Sequence, residues 1–195
     1  MRKITINLAA VAAFCIVVAS PALVSSSCAT PQTEQEDTTI IREDLGITAL
    51  KYSSPEVPSS IEFCGKVIDL SRFDRHERMD RELLAFTYMH STSLQMLKKA
   101  NRYFPIVEPI LKENGIPDDF KYLMVIESNM NPTARSSAGA AGLWQFMQGT
   151  GRDYGLEVNN NVDERYHIEK ATRAACRYLK DAYAKYKDWV AVAAS

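Results

Sequence analysis

From Asp74 onward apolar residues recur at spacings of three and four, and this period is what most limits the fold. Leu83, Leu84, Thr87 and Tyr88 lie at helical spacing. Ser91–Ser93 are expected to break that helix and cap another through Leu94, Leu97 and Ala100. Ile168, Thr172, Ala175, Leu179, Ala182, Tyr183 and Tyr186 mark a long helix from about Ile168 to Tyr186. No strand–helix alternation appears, which argues against a parallel α/β sheet. No internal repeat is visible.

The punctuation between these runs is informative. Pro105 and Pro109 are expected to interrupt or restart the second helix. Asn114-Gly115 is a stop, because both residues tolerate the left-handed conformation that ends helices. Pro117 with Asp118 and Asp119 is a start: proline is pre-set for a first turn, and carboxylates favour the positive end of the helix dipole. That helix should run to about Asn129, where Asn131-Pro132 ends it. Small residues fill Thr133–Gly142, and a short helix is expected to carry Leu143, Trp144, Phe146 and Met147. Asp188 is placed to cap a last helix from Trp189. The apolar stretch Trp189–Ser195 has no closing signal, so the chain is read as cut within its domain.

The other end is built differently. Arg2 and Lys3 precede an apolar run from Ile4 to Ala19, followed by Pro21 and the small residues Ser25, Ser26 and Ser27. That order is a secretory signal over residues 1–28. A membrane span is the competing reading, but the run is slightly short for one and contains Asn7. Leu23-Val24-Ser25-Ser26-Ser27-Cys28 is a loose lipoprotein signal, with Ser25 where a large aliphatic residue is usual. Cys28 is therefore a candidate lipid anchor. Residues 29–73 read as a linker and N-terminal arm. Ala29 to about Ser60 is polar, and Ile61 to Leu70 suits a short strand or extended arm.

Composition excludes little else. The 195 residues are 46% hydrophobic and 24% charged with net charge −1. That balance argues against broad nucleic-acid binding, which needs a basic surface. It leaves a neutral polysaccharide open. Cys64 and Cys176 remain in the mature chain, where an oxidising compartment would allow them to pair. No Cys-x-x-Cys or His-Glu-x-x-His occurs, so no metal is expected. Gly149-Thr150-Gly151 lacks the lysine of a phosphate loop, and no cofactor is implied.

One carboxylate stands out. Phe120, Leu123, Met124 and Glu127 are spaced i, i+3, i+4 and i+7, which sets Glu127 on an apolar face. Burial there disfavours the charge and raises the pKa, as a general acid requires. A lone glutamate at a helix end more often reaches solvent or a basic partner. The residues beyond it change the balance: Ser128, then Ser136-Ser137-Ala138-Gly139-Ala140-Ala141-Gly142-Leu143-Trp144-Gln145-Phe146-Met147, then Tyr154-Gly155-Leu156. Small residues permit close backbone approach. Gln145 carries two donors and an acceptor for hydroxyl or acetamido groups. Trp144, Phe146 and Tyr154 suit either sugar faces or core, with core favoured for the first two.

From about Asp74 to Ser195, and most specifically over Ile116–Leu156, the sequence resembles the catalytic domain of bacterial lytic transglycosylases. The similarity is to the soluble-lytic-transglycosylase-like domain of the membrane-bound type D enzymes. It rests on Glu127-Ser128, the Ser136–Met147 run, and Asp163-Glu164-Arg165 with the Ala-rich helix after it. The resemblance implies an all-α, lysozyme-like fold over residues 74–195. It implies cleavage of the β-1,4 bond between N-acetylmuramic acid and N-acetylglucosamine in peptidoglycan, giving 1,6-anhydro products. Glu127 matches the family's sole acid and base, Ser136 a serine near it, and Gln145 a groove glutamine. Ser128 is expected to position the helix end, and Met147 and Tyr154 match groove or core positions. The expected partner is the peptidoglycan glycan strand, met by a monomer exported to the cell envelope. The family's Tyr-Asn-x-Gly segment would come after Ser195, so weak activity is expected of this chain alone. A goose-type lysozyme-like hydrolase and a non-catalytic wall-binding protein are the competing readings.

Overall fold

The computed structural model describes residues 54–195. The expected signal, the Cys28 anchor and most of the linker lie outside them. The described part is mostly helical, with one small sheet where Ile61 to Leu70 are expected to form a short strand or extended arm. Strands β1 (Ser60–Phe63) and β2 (Lys66–Asp69) form an antiparallel hairpin in which Ile61 faces Ile68. Cys64 and Gly65 make its two-residue turn at φ 52° and 75°, the positive pair that matches strand twist. The arm is thus an ordered hairpin packed on the domain. Phe63 is buried against the Phe120 ring, with centroids 6.2 Å apart. The Cys64 amide donates to Asp119 Oδ2 at 2.6 Å, and Lys66 pairs with Asp188 at 2.6 Å.

Helix α1 (Phe73–Tyr88) ends at Met89, and α2 (His90–Glu113) begins at once. The expected break at Ser91–Ser93 therefore lies just earlier in the chain. Those serines form the first turn of α2, and the Ser93 hydroxyl donates across the break to the Phe86 carbonyl. Nor do Pro105 and Pro109 interrupt α2, which runs through both. A proline inside a helix costs about 3 kcal/mol and deprives the carbonyl four residues back of its donor. Here those carbonyls belong to Asn101 and Pro105, on the solvent face where water can reach them. The opposite face carries Tyr103, Phe104, Val107, Ile110 and Leu111, all buried, and this stripe holds the helix together. The Asn114-Gly115 stop is as expected. Gly115, at φ 67°, donates to Lys112 O, and the buried Ile116 donates to Leu111 O at 3.0 Å.

After Pro117 the chain makes a 3-10 segment (Asp118–Tyr122) that passes into α3 (Leu123–Ser128). Helices α4 (Gln148–Asp153), α5 (Ile168–Tyr186) and α6 (Trp189–Ala193) complete the domain. Asp188 caps α6 as expected, accepting the Val190 amide at 3.0 Å. The main core gathers α2, α3 and α5, with Val192 and Ala193 of α6. Beneath the hairpin lies a smaller core of Leu70, Met79 and Leu83.

Cys64 and Cys176 are both free thiols. Burial, aided by the Asp119 and Asp188 carboxylates, pushes the Cys64 thiol up to about 12. Burial pushes that of Cys176 up to about 11. Among the described residues, no helix is long and apolar enough to cross a membrane.

If the hairpin is part of the domain, removing its anchor must destabilise the whole. Phe63→Ala should lower the unfolding free energy by about 3–5 kcal/mol. A single cooperative urea transition with a lower midpoint and unchanged slope is expected. An unchanged midpoint would show that the hairpin is a dispensable arm.

Candidate active site

The 3-10 segment and α3 act as one rod. Phe120, Leu123 and Met124 are all buried in the core, and their stripe surfaces at Glu127. Glu127 is half-buried, and burial alone raises its carboxyl above the ordinary 4.5. No hydrogen bond or ion pair to its carboxyl occurs among the described residues. This is the direction that the apolar face dictates: the ionised form gains neither full hydration nor a cation.

The rod ends abruptly. Asn129 and Met130 are both left-handed, at φ 50° and 51°, although neither is glycine. Such residues cost about 1–2 kcal/mol each. Local bonds hold them: Asn129 N donates to Val125 O, Met130 N to Met124 O, and Lys99 Nζ to the Asn129 carbonyl. The buried Met130 side chain adds packing. Glu127 therefore sits at the last turn of a fixed end.

Ser128 joins this end to the next segment. Its buried hydroxyl lies 3.0 Å from both the Met124 and Leu143 carbonyls, which share its one proton. It braces the helix against the loop through backbone, as a positioning role requires.

The loop is not the short helix expected over Leu143–Met147. Ala141 and Phe146 exchange both backbone hydrogen bonds, and the chain reverses between them. Gly142 at φ 78° and Gln145 at φ 47° cannot continue a right-handed helix. Helical structure resumes only at Gln148. The Trp144 indole donates to Thr172 Oγ1 of α5 at 3.0 Å, and Phe146 is buried. Both serve packing, the reading favoured for them from the sequence.

Ser136 and Gln145 flank this loop. Ser136 Oγ accepts the Ala140 amide at 3.0 Å, which leaves its own proton to donate. Gln145 Nε2 donates to Gly142 O at 2.8 Å and to Ala134 O at 3.3 Å. Its two donors are spent on the loop, so it offers a ligand its carbonyl oxygen alone. The structure thus joins Glu127, Ser128, Ser136 and Gln145 through one braced helix end and one loop. Met147 is exposed where the loop enters α4. Tyr154 is tied instead to α5, its hydroxyl donating to Asp181 at 3.1 Å and its ring edge-on to Tyr178.

Sequence reasoning noted the residue that holds the loop only as part of the Asp163-Glu164-Arg165 match and gave it no role. Arg165 is 1% exposed, yet it lies in a polar stretch that reads as surface. Its Nε and Nη2 donate to the two Asp163 oxygens at 2.9 and 2.7 Å. Its Nη1 donates to Gly139 O at 2.8 Å and Phe146 O at 2.9 Å. The guanidinium beside Asp163 holds that carboxyl below its ordinary value. A Cβ on Gly142 would lie 1.9 Å from the Arg165 carbonyl oxygen, so only glycine fits there. A depression of about 610 Å³ lies elsewhere, lined by Pro105, Glu108, Pro109, Lys112, Ile116 and Asp118, and holds none of these groups. Among the described residues, no three His, Cys, Asp or Glu side chains gather as metal ligands.

The close approach at Gly142 and the burial of Glu127 each predict a change in stability. Gly142→Ala should destabilise the protein by about 3 kcal/mol or more, through backbone overlap and a forced positive φ. A thermal melt would reveal it, and wild-type stability would refute the close approach. Glu127 holds its proton more tightly folded than unfolded, so its own contribution to stability is fully present below pH 4.5 and falls away as pH rises through the raised value. Glu127→Gln should flatten that fall, leaving the variant more stable than the parent at neutral pH. Parallel pH–stability curves would refute the buried carboxyl.

Residues 105–195 match the Transglycosylase SLT domain. Membrane-bound lytic murein transglycosylase D of Escherichia coli (strain K12) is 30% identical over 120 residues, which cover 61% of this chain and 26% of that protein. The protein of the same name from E. coli O6:H1 matches to the same extent. The matched region is thus about a quarter of the length of these relatives. Glu127, its helix end and the Arg165-held loop all lie within residues 105–195, the segment that matches the Transglycosylase SLT domain.

Proposed function

We propose that this chain is a peptidoglycan lytic transglycosylase that cleaves between N-acetylmuramic acid and N-acetylglucosamine without water. The observation that carries the reading is the Glu127 carboxyl: half-buried, without a cationic partner, raised in pKa, and set at a rigid helix end beside an amide-bearing loop. The transglycosylase domain and the E. coli relatives support the substrate class.

Protonated Glu127 gives its proton to the glycosidic oxygen as the C1–O bond breaks, and N-acetylglucosamine leaves with a free 4-hydroxyl. The carboxylate then takes the proton of the muramoyl C6 hydroxyl. That oxygen closes on C1, and the 1,6-anhydro ring forms with Glu127 again protonated. One residue serves both steps, so the second carboxylate of most glycosidases is not required. Raising the pKa suits the first step, because more of the acid is present near neutral pH. Ser136 donates to the strand, and the Gln145 carbonyl accepts from a hydroxyl or acetamido N–H. Ser128 fixes the distance between acid and loop. Met147 and Tyr154 serve the groove rim and the packing behind it.

In the cell the chain acts at the envelope on glycan strands. Residues 1–28 direct export, and Cys28 serves as a lipid anchor.

Purified peptidoglycan tests the mechanism. Products should be lighter by one water than hydrolytic ones, and activity should fall as pH rises through the Glu127 value. Glu127→Gln should reduce turnover by about a thousandfold while binding is kept. Reducing-end products would instead indicate hydrolysis, and an active Glu127→Gln variant would end the proposal.

A further inference from the structure

We propose that Arg165, held by Asp163, is a positioning residue that sets the glycan-contacting face of the 134–146 loop while leaving the acid itself untouched. The inference rests on the glycan-cleaving reading and assigns a further residue to it.

Four features carry it. First, the two carbonyls that Arg165 Nη1 grips lie far apart along the loop: Gly139 belongs to the Ser136 turn, and Phe146 to the bridge beyond Gln145. One cation thereby fixes the turn that presents Ser136 and the reversal that presents Gln145. Second, the guanidinium is itself fixed. Asp163 receives it through two parallel bonds, and Asp163 Oδ1 also accepts the Arg165 amide at 3.2 Å. Only a planar fork reaches a carboxylate on one side and two carbonyls on the other. Third, the backbone of the same residue closes on Gly142, whose carbonyl anchors the Gln145 amide. Fourth, the loop conformation is not one its sequence favours. Gln145 is left-handed at φ 47°, so something outside the loop must hold it there.

The clamp and the acid are separate. The Arg165 guanidinium bonds to Asp163, Gly139 and Phe146, none of them in α3, and burial alone displaces the Glu127 carboxyl. Loosening the clamp should therefore weaken strand binding without moving the pH at which the acid works.

The test uses the full chain with chitohexaose as a soluble glycan probe. In a Glu127→Gln background, which binds without cleaving, adding Arg165→Lys should weaken affinity about tenfold. Lysine keeps the charge but cannot serve the carboxylate and both carbonyls together. In the Glu127 background, with purified peptidoglycan as substrate, the same change should raise KM with kcat altered much less, and leave the pH midpoint of activity where it was. Asp163→Asn is the second variant. Its amide offers one oxygen where two were used, so the guanidinium shifts from the carbonyls and affinity falls in the same direction. The Gln145 side-chain amide resonances should move in both variants. Folded Arg165→Lys or Asp163→Asn protein with parental affinity and an unmoved Gln145 signal would overturn the proposal. So would a shifted pH midpoint. If Glu127→Gln alone binds neither chitohexaose nor purified peptidoglycan, the glycan reading fails and this proposal falls with it.

Discussion

A single ion pair, its guanidinium buried and its carboxylate partly exposed, holds the loop in a shape that its own sequence would not choose. Arg165 is almost sealed from water, and removing a guanidinium from water costs several kcal/mol unless it is fully partnered. Here it is: Asp163 supplies charge and two acceptors, and the loop supplies two carbonyls. The pair is thus better understood as fixing conformation than as adding net stability. The Gly139 carbonyl would otherwise need a partner of its own where a short, irregular loop has few, and the Phe146 carbonyl gains a second donor beside the Ala141 amide. The arrangement satisfies both sides at once.

The same logic recurs around the acid. Three non-glycine residues near the site, Asn129, Met130 and Gln145, are left-handed. Backbone held in this way concentrates where side-chain direction matters more than local comfort. Packing and hydrogen bonds offset the strain: Met130 is buried, Ser128 ties the helix end to Leu143, and Thr172 orients Trp144. The loop is wedged between the end of α3 and the first turns of α5. Because the hairpin braces Asp119 at the start of the same rod, both ends of the Glu127 helix are fixed.

How much of this the sequence disclosed depended on whether the deciding force was local. Periodicity and capping act within a few residues, so α5, the Asn114-Gly115 stop and the Asp188 cap were legible in it. Glu127 was legible too, because an apolar face at helical spacing already implies desolvation. The failures were tertiary. Pro105 and Pro109 look like breakers until their lost bonds are placed on solvent and their helix on the core. The Leu143–Met147 run looks helical until Arg165 and Gly142 dictate a reversal. Burial of Arg165 has no signature in a stretch of asparagines and acids. The hairpin turn was hidden because Cys64-Gly65 is an uncommon choice for a positive-φ pair.

The two carboxyls of the site are pushed in opposite directions, and this separates their duties in pH. Hydrogen bonds from Arg165 hold Asp163 below its ordinary 3.8, so the clamp's stabilisation is present above that pH and is lost only as pH falls through the lowered value. Burial holds Glu127 above its ordinary 4.5, so its proton persists as pH rises past that point. Between the two there is a span of pH in which the clamp is ionised and the acid still carries its proton. A site with both carboxyls in one environment would lose one property on gaining the other. By giving one carboxyl a cation and leaving the other to burial, the fold keeps a rigid loop and a protonated Glu127 together.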